Sequence, residues 1–164
     1  MTALVKARSE RRAARRAGEA GKRIEYLAFG LAGETYAVEI DRVAEILRLL
    51  PTTPVPRSPD TVLGVISVRG KLVTVVDLRR RLKLPTCPTD RKTRILLVDA
   101  GTGEQLGLLV DDVQQVWRLA VEEIEPANVL GGEQAEHIAG IGRPAASDGA
   151  VLILLDVRPI LESP

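Results

Sequence analysis

Short apolar segments follow one another along the chain from residue 23 onward, with Gly, Pro or Asp residues between them. The segments are rich in Val, Leu and Ile, which favours strands. Three pairs of segments flank brief turn-forming sequences and predict β-hairpins: 24–31 with 34–40, 62–68 with 72–78, and 95–98 with 106–110. Residues 51–59, which include four prolines, and residues 84–90 predict extended loops.

One segment has a different period. Val43, Ile46, Leu47 and Leu50 recur at three- and four-residue spacing, which is typical of a short helix with one apolar face. Asp41 stands just ahead of these residues and is a candidate N-cap. We therefore expect a helix over residues 42–50.

The chain also matches itself. Residues 33–43 match residues 103–113 at an offset of 70, and residues 72–79 match residues 151–158 at an offset of 79. The chain thus contains two versions of one β-rich unit, about 24–86 and 92–161, and each is too small to bury a large core alone. Because strands and helices do not alternate, we expect no Rossmann-like parallel sheet. We expect a mainly β fold of two pseudo-symmetric, five-stranded, SH3-like barrels packed together, with short helices and a cleft at their junction.

The first 22 residues differ from this 23–164 domain in charge. Residues 1–23 hold eight Lys or Arg against two Glu, about +6, whereas the whole 164-residue chain carries +1. Few bulky apolar residues are present there, so we expect a solvated, disordered tail that tolerates a transient helix. Its charge suits an acidic partner, nucleic acid or an anionic membrane surface.

The rest of the composition points to a cytoplasmic protein. The tail lacks the apolar core of a secretory signal, and no apolar stretch approaches the ~20 residues that span a bilayer. The chain has one cysteine, Cys87, which excludes an internal disulfide and fits a reducing compartment.

A catalytic site is not expected, because the residues that could form one are few and scattered. His137 is the single histidine and is interpreted as a surface or loop residue. Cys87 lies between prolines in an irregular loop, so a Cys/His nucleophile pair is disfavoured. Asp111 is interpreted as capping a turn, like its repeat partner Asp41, rather than as a metal ligand. We expect no metal and no cofactor.

Two further classes of site are disfavoured. The glycine-rich residues 101–107 join two strands and lack the spacing of a nucleotide-binding loop, so they predict a hairpin turn. Nucleic-acid binding by a small barrel needs aromatic stacking platforms, and aromatic residues make up 2% of the chain.

The motifs, taken in order, resemble those of the CheW domain family. Residues 26–31, 33–38 and 40–46 look like the opening of a CheW domain, and residues 64–79, with Pro56 and Pro59 ahead of them, resemble its most diagnostic stretch. Residues 110–116, 140–142 and 152–157 complete the order. The resemblance covers residues 24–162. It implies paired five-stranded barrels, in agreement with the internal repeat.

The resemblance also implies a function without chemistry. CheW proteins are adaptors that bridge the cytoplasmic tip of chemoreceptors and the regulatory domain of a CheA-type histidine kinase, in arrays at the inner face of the membrane or in cytoplasmic clusters. A receptor tip is a helical hairpin, and such helices bind by placing apolar anchors in a groove. Seven residues are implied in partner binding: Arg69, Val43, Glu45, Ile40, Ile46, Val110 and Val113.

Several alternatives stay open for these residues. The apolar residues could fill the core instead, with Ile40 and Val110 balanced between the two roles, and Glu45 could lie on a solvated helix face. Arg69, in a tight turn, is expected to engage the receptor or the kinase, and the alternative is an exposed turn arginine that contacts no partner. Asp77 matches Asp156 in the repeat, so a turn-stabilising role is expected for both.

Two rival functions follow. The same adaptor could serve a kinase pathway for surface motility, development or gene expression. A protein of another class would be a small nucleic-acid-binding barrel that uses its basic arm.

Overall fold

The computed structural model describes residues 3–8, 22–99, 102–127 and 136–162. Within them lie eleven strands: β1 Arg23–Leu31, β2 Glu34–Glu39, β3 Val43–Arg48, β4 Val62–Val68, β5 Lys71–Asp77, β6 Arg94–Asp99, β7 Gln105–Val110, β8 Asp112–Ala120, β9 Ile124–Pro126, β10 Ile138–Gly142 and β11 Leu152–Leu155. The helices are short: α1 over residues 3–8, α2 Leu78–Arg81 and α3 Arg158–Glu162. Two 3-10 turns, Ile40–Arg42 and Val121–Glu123, precede β3 and β9.

The strands form two mixed sheets. The six-stranded sheet has the order β8-β1-β2-β11-β10-β9, and the five-stranded sheet has the order β3-β6-β7-β5-β4. Neighbours are antiparallel except for one parallel pair in each sheet, β2 with β11 and β5 with β7. The mainly β prediction is confirmed, as are the three predicted hairpins. Closure of each sheet into a complete barrel stays a prediction.

The two sheets exchange strands. β3 follows β2 along the chain but pairs with β6 in the other sheet, and β8 follows β7 but pairs with β1. The offset of 70 in the sequence therefore reflects a real equivalence, with β1-β2-β3 corresponding to β6-β7-β8. Each sheet takes strands from both 24–86 and 92–161, so the units of the sequence repeat do not coincide with the sheets.

Among the residues that the structure describes, the buried apolar side chains form three clusters. One combines residues of both sheets, including Leu27 and Phe29 of β1 with Leu96 and Val98 of β6. The other two each draw on strands of a single sheet. Tyr26 and other β1 residues of the opposite parity belong to the cluster of the six-stranded sheet, so the central strands are covered on both faces.

The predicted helix over 42–50 is wrong, because Val43–Arg48 form the strand β3 and Arg42 ends the 3-10 turn before it. A β-bulge between Val43 and Glu45 adds one residue to the strand, so that Val43 and Ile46 both pack against the cluster shared by the sheets. Ala44 and Leu47 pack against the cluster of the five-stranded sheet. The extra residue at the bulge thus produces a three-residue spacing that mimics the period of a helix.

The candidate cap at Asp41 is also wrong. Asp41 lies inside the 3-10 turn Ile40–Arg42, and no side chain caps that turn.

The basic tail is described only in part. Residues 3–8 are helical and Val5 is buried, while residues 9–21 lie outside the described residues. Disorder of the tail therefore stays a prediction. Within the described ranges, no helix is both long enough and apolar enough to cross a bilayer.

Candidate protein-interaction surface

Arg69 lies in the tight turn between β4 and β5. Arg69 and Gly70 have φ values of 48° and 82°, as two-residue hairpins require because their primed turns match the strand twist. A positive φ is uncommon for a residue other than glycine. The side chain of Arg69 is 68% exposed, so the hairpin presents this charge to solvent.

The Arg69 guanidinium forms a two-pronged ion pair with Glu45 of β3. Nη1 donates to Oε1 at 3.2 Å and Nη2 donates to Oε2 at 2.6 Å. Hydrogen bonding to Glu45, supported by its charge, raises the pKa of Arg69. Arg69 therefore stays charged and its fork is held in one direction.

This ion pair also reports on the shape of the sheet. β3 and β4 are the two edge strands of the five-stranded sheet, and neighbouring strands lie about 4.8 Å apart. In a flat sheet the two edges would be about 19 Å apart. Because Glu45 on one edge touches the turn at the end of the other, the sheet must be rolled. The pair joins its two edges.

A groove lies beside this turn, with a volume of about 610 Å³. Leu72, at the start of β5, is 75% exposed there, whereas its neighbour Val73 is 6% exposed. The turn thus places an exposed apolar side chain next to an arginine that is held in place, and arginine is enriched in protein interfaces. Sequence reasoning missed Leu72. Its signal is Thr74, the polar residue two positions along the strand, which marks that face of β5 as outward.

Three of the predicted apolar anchors belong to the core. Ile40, Val43 and Val110 are at most 2% exposed. They flank the points where β3 and β8 cross between the sheets, and these crossings must be packed tightly. The predicted cleft at the junction is filled at these positions by the protein's own side chains. Contact with a partner through these three side chains would require them to leave the core.

The other two predicted anchors are accessible in part. Ile46 on β3 and Val113 on β8 are partly buried and pack against the cluster shared by the two sheets. The prediction that they contact a partner is therefore compatible with where they lie.

Asp77 confirms the structural role predicted for it. Its carboxylate accepts hydrogen bonds from the backbone N–H and the Nε of Arg79, both at 3.1 Å, and so caps α2. Asp156 makes the same contacts with Arg158, at 3.1 Å from the backbone and 3.0 Å from Nε. The two carboxylates thus end equivalent strands in the same way.

Asp111 is bound to groups from both sheets. It accepts from the backbone N–H of Ala32 at 2.8 Å and from Nη1 of Arg79 at 3.2 Å. Nη1 also donates to the carbonyl of Cys87 at 2.8 Å. Asp111 thus caps a turn, as predicted, but it is the turn between β1 and β2. Arg79, only 4% exposed, is a residue whose central position was not predicted.

His137 lies in a turn just before β10, so of the two interpretations the loop position is right and the surface position is wrong. His137 is 7% exposed, and its Nε2 lies 2.9 Å from Nη1 of Arg81. Burial, together with the charge of Arg81, lowers the pKa of His137. Cys87 lies in a loop, as predicted, and it is exposed there. Among the described residues, no three metal-ligating side chains form a group that could hold an ion.

Comparison with known proteins gives a consistent result. Residues 25–164 match the model of the CheW-like domain family. The chemotaxis protein CheW of Klebsiella aerogenes is 32% identical over 85% of this chain and 82% of its own length. The protein FrzA of Myxococcus xanthus is 29% identical over 84% of this chain and 86% of its own.

A solved structure gives the same answer. The scaffolding protein TtCheW from Thermoanaerobacter tengcongensis superposes with a TM-score of 0.74 at 28% identity, covering 84% of this chain and 90% of its own. The order of motifs, the exchanged strands and these matches lead to one assignment: the chain belongs to the CheW-like domain family.

Proposed function

We propose that the protein is a non-enzymatic scaffold that couples chemoreceptors to a CheA-type histidine kinase in a pathway controlling chemotaxis. The similarity to CheW proteins along residues 25–164 carries this proposal. It acts in the cytoplasm, where receptor tips and the kinase are accessible. The kinase is bound through its regulatory domain.

The partner surface proposed here is centred on the β4–β5 turn. Arg69 supplies a fixed, exposed charge and Leu72 supplies an exposed apolar side chain. Arginine is one of the residues that most often dominate the binding energy of protein interfaces, and neighbouring contacts such as Leu72 exclude water from around it. Glu45 directs the guanidinium, and Ile46 and Val113 add partly exposed apolar area.

Charge reversal at the turn tests this surface. Arg69→Glu is expected to weaken retention of the immobilised kinase regulatory domain or receptor tip at least about tenfold, because it places like charges together inside the contact. The charge-swapped double variant Arg69→Glu with Glu45→Arg keeps an ion pair between the edges of the sheet. If Arg69 meets the partner directly, this double variant stays weak.

The matched control is another exposed ion pair. Arg143 and Glu125 lie 3.2 Å apart, with side chains 58% and 59% exposed, on the six-stranded sheet. Arg143→Glu is expected to leave retention unchanged. Full binding by Arg69→Glu, or equal loss in both charge reversals, would remove the β4–β5 turn from the proposed surface.

A second candidate keeps the adaptor role and changes the pathway. One relative, FrzA of Myxococcus xanthus, has a name other than CheW. The same retention assay should therefore also contain kinases of pathways other than flagellar chemotaxis. Binding to such a kinase, with none to a chemotaxis kinase, would select this candidate. Salt-sensitive retention of RNA with neither protein partner would instead select the nucleic-acid class.

The basic tail is proposed to add an electrostatic contact with an acidic partner or an anionic membrane surface. Each Lys or Arg near such a surface contributes about 1 kcal/mol. Removing residues 1–22 should reduce binding to anionic liposomes or to the partner in low salt. Unchanged binding would dismiss a role for the tail.

A further inference from the structure

Four basic residues lie together where β3 ends and β6 begins. Arg48, the last residue of β3, stands directly opposite Arg94, the first residue of β6, in the antiparallel pairing of these strands. Arg91 and Lys92 belong to the turn that leads into β6, and Nη1 of Arg94 donates to the carbonyl of Arg91 at 2.7 Å. Arg48, Arg91 and Lys92 are exposed. These four residues are called the basic patch below.

The pairing of Arg48 with Arg94 is unfavourable for the fold, because like charges directly opposite each other destabilise a strand pair. The internal repeat provides a comparison. Arg118 on β8 is the equivalent of Arg48 at the offset of 70, and it stands opposite Glu25 of β1, a pairing of opposite charges. Departures from the local rules of stability are expected mainly at functional sites, so the like-charge pair indicates a use for its charge.

The charges of the basic patch are available to a ligand. Among the residues that the structure describes, no carboxylate forms an ion pair with Arg48, Arg91 or Lys92. Asp90, in the same turn, accepts from the backbone N–H of Lys92 at 2.8 Å. Arg94 donates to the carbonyls of Arg91 and Thr93, which fix its guanidinium but carry no net charge.

The basic patch is distinct from the β4–β5 turn. Residues of one parity on β3 and β6 face the shared cluster, and these include Ile46 and Leu96. Arg48 and Arg94 lie two positions farther along the same strands and so share that face. Glu45, which holds Arg69, has the opposite parity. The basic patch therefore borders the junction of the two sheets.

We propose that the basic patch binds an acidic segment of a partner protein, with Asp or Glu carboxylates of the segment held by Arg48 and Arg94. A guanidinium binds a carboxylate through two parallel hydrogen bonds. The two arginines lie on neighbouring strands, about 4.8 Å apart, which suits carboxylates of one polypeptide segment. Arg91 and Lys92 add positive charge beside them.

The surroundings favour a short acidic segment over a larger polyanion. Residues 24–164 hold 15 Lys or Arg against 20 Asp or Glu, so the domain as a whole repels an extended anionic surface such as a membrane. β3, β6 and the turn between residues 90 and 93 contain no aromatic residue, so bases of a single-stranded nucleic acid would find no stacking platform there. A segment a few residues long contacts the basic patch alone.

The experiment needs neither kinase nor receptor, so its outcome is independent of the proposed coupling function. A fluorescein-labelled peptide of eight glutamates is titrated with the full chain, and binding is followed by fluorescence anisotropy. We expect saturable binding that weakens as salt is added, and no binding of a peptide of eight glutamines. Arg48→Glu and Lys92→Glu should each weaken the octaglutamate at least about fivefold, because they place like charges in the contact.

The matched control is Arg118→Glu, which makes the same change of net charge at the equivalent strand position. It should leave binding of the octaglutamate within about twofold of the unchanged chain. The basic tail is present in every variant and therefore does not affect the comparison. Thermal unfolding of the variants should also differ. Arg48→Glu should melt no lower than the unchanged chain, because it replaces a like-charge pair with an opposite one, whereas Arg118→Glu creates a like-charge pair with Glu25 and should melt lower.

Several results would overturn the proposal. These are no binding of octaglutamate, equal binding of octaglutamine, or equal loss of binding in Arg48→Glu and Arg118→Glu. A lower melting temperature for Arg48→Glu would contradict a binding role for the like-charge pair. Anionic liposomes and single-stranded RNA are tested in the same way. If Arg48→Glu loses either of them but keeps octaglutamate, the basic patch belongs to that anion and not to an acidic protein segment.

Discussion

The sequence Asp–x–Arg occurs at residues 77–79 and again at residues 156–158. The ion pairs in these two copies differ in burial, and their roles differ with it. In the first copy, the side chains of Asp77 and Arg79 are each 5% exposed, and Arg79 also reaches Asp111 and the carbonyl of Cys87. In the second copy, Arg158 is 64% exposed and Asp156 is 25% exposed. The hydrogen bonds within each copy are alike, so the surroundings account for the difference.

Removing the two arginines should therefore have unequal effects. Arg79→Ala removes the buried ion-pair partner of both Asp77 and Asp111 and leaves Asp77 only the longer contact with Arg80, at 3.6 Å. This is expected to lower the free energy of unfolding by about 3 kcal/mol. Arg158→Ala removes a pair whose arginine is mostly exposed and is expected to lower the free energy of unfolding by at most about 1 kcal/mol. Urea unfolding followed by circular dichroism measures both, and equal losses would contradict this assignment.

His137 predicts how stability depends on pH. Burial lowers its pKa in the folded protein, so the unfolded chain binds the proton more readily than the folded chain does. Stability should then fall as the pH decreases below the ordinary histidine pKa of about 6.5, until the folded pKa is passed. The lowered pKa values of Glu123 and Asp156 cause losses only at more acidic pH.

The free energy of unfolding, measured between about pH 7.5 and pH 5.5, checks this prediction. His137→Gln should have a nearly flat profile over that window, whatever its absolute stability. A profile for the unchanged chain that is equally flat would show that His137 titrates normally.

The sequence predicted the roles of some individual residues and not of others. The paired positions of Asp77 and Asp156 indicated their structural role, because a repeat places equivalent residues in equivalent turns. The burial of Arg79 and His137 depends on which loops fold over them, and nothing adjacent in the chain encodes that. The exposure of the Arg69 side chain was predictable, because a tight turn between two apolar strands leaves its side chains in solvent.

Individual elements were predictable where their periodicity was regular. The hairpins follow from alternating apolar segments joined by turn residues, such as Ala32-Gly33, with φ values of 51° and 82°. β3 was misread because its bulge breaks the alternation of the strand. Its identity as a strand depends on pairing with β6, which lies about fifty residues away in the sequence.

Close backbone crossings beside β4 and β10 require glycine. A Cβ at Gly64 would overlap the carbonyl oxygen of Thr53, and one at Gly140 would lie 2.6 Å from the carbonyl oxygen of Glu125. Gly64 and Gly140 occupy equivalent positions in the repeat. Thr53 pairs with β4 beside the first glycine, and β9 pairs with β10 beside the second. The crossing is thus a feature of the fold rather than of one loop.

Alanine substitutions test the crossings. Gly64→Ala and Gly140→Ala should each lower the free energy of unfolding by more than about 2 kcal/mol, because the added carbon meets backbone that cannot move aside cheaply. Gly33 has a φ of 82° but nothing within 4 Å of an added Cβ. Gly33→Ala should therefore cost only about 1 kcal/mol of conformational strain. Chemical denaturation ranks the three variants, and an equal ranking would contradict the steric argument.

The two sheets are held together by the strands that cross between them. β3 and β8 each leave one sheet for the other, and a shared cluster fills the space between the sheets. The sequence repeat indicated two equivalent units. It could not indicate that β3 pairs with β6 and β8 with β1. A strand that stays within its own unit and a strand that crosses to the other unit have the same local pattern of apolar residues. The same exchange accounts for the burial of Ile40, Val43 and Val110, which were predicted as partner contacts with a place in the core as the alternative.

Because the strand crossings are filled by core side chains, the proposed partner surface lies on an outer turn. The rolled five-stranded sheet presents Arg69, held by Glu45, together with Leu72 at one corner. A rigid core with a charged and apolar corner suits a protein that positions other proteins and carries out no chemistry of its own.

Co-sedimentation of the kinase with receptor tests this account most directly. Membranes that carry a chemoreceptor are mixed with a CheA-type kinase, with and without the full chain. We expect the amount of sedimented kinase to rise severalfold when the chain is present, and Arg69→Glu to remove most of that increase. If the kinase sediments equally with and without the chain, the proposed coupling function is contradicted.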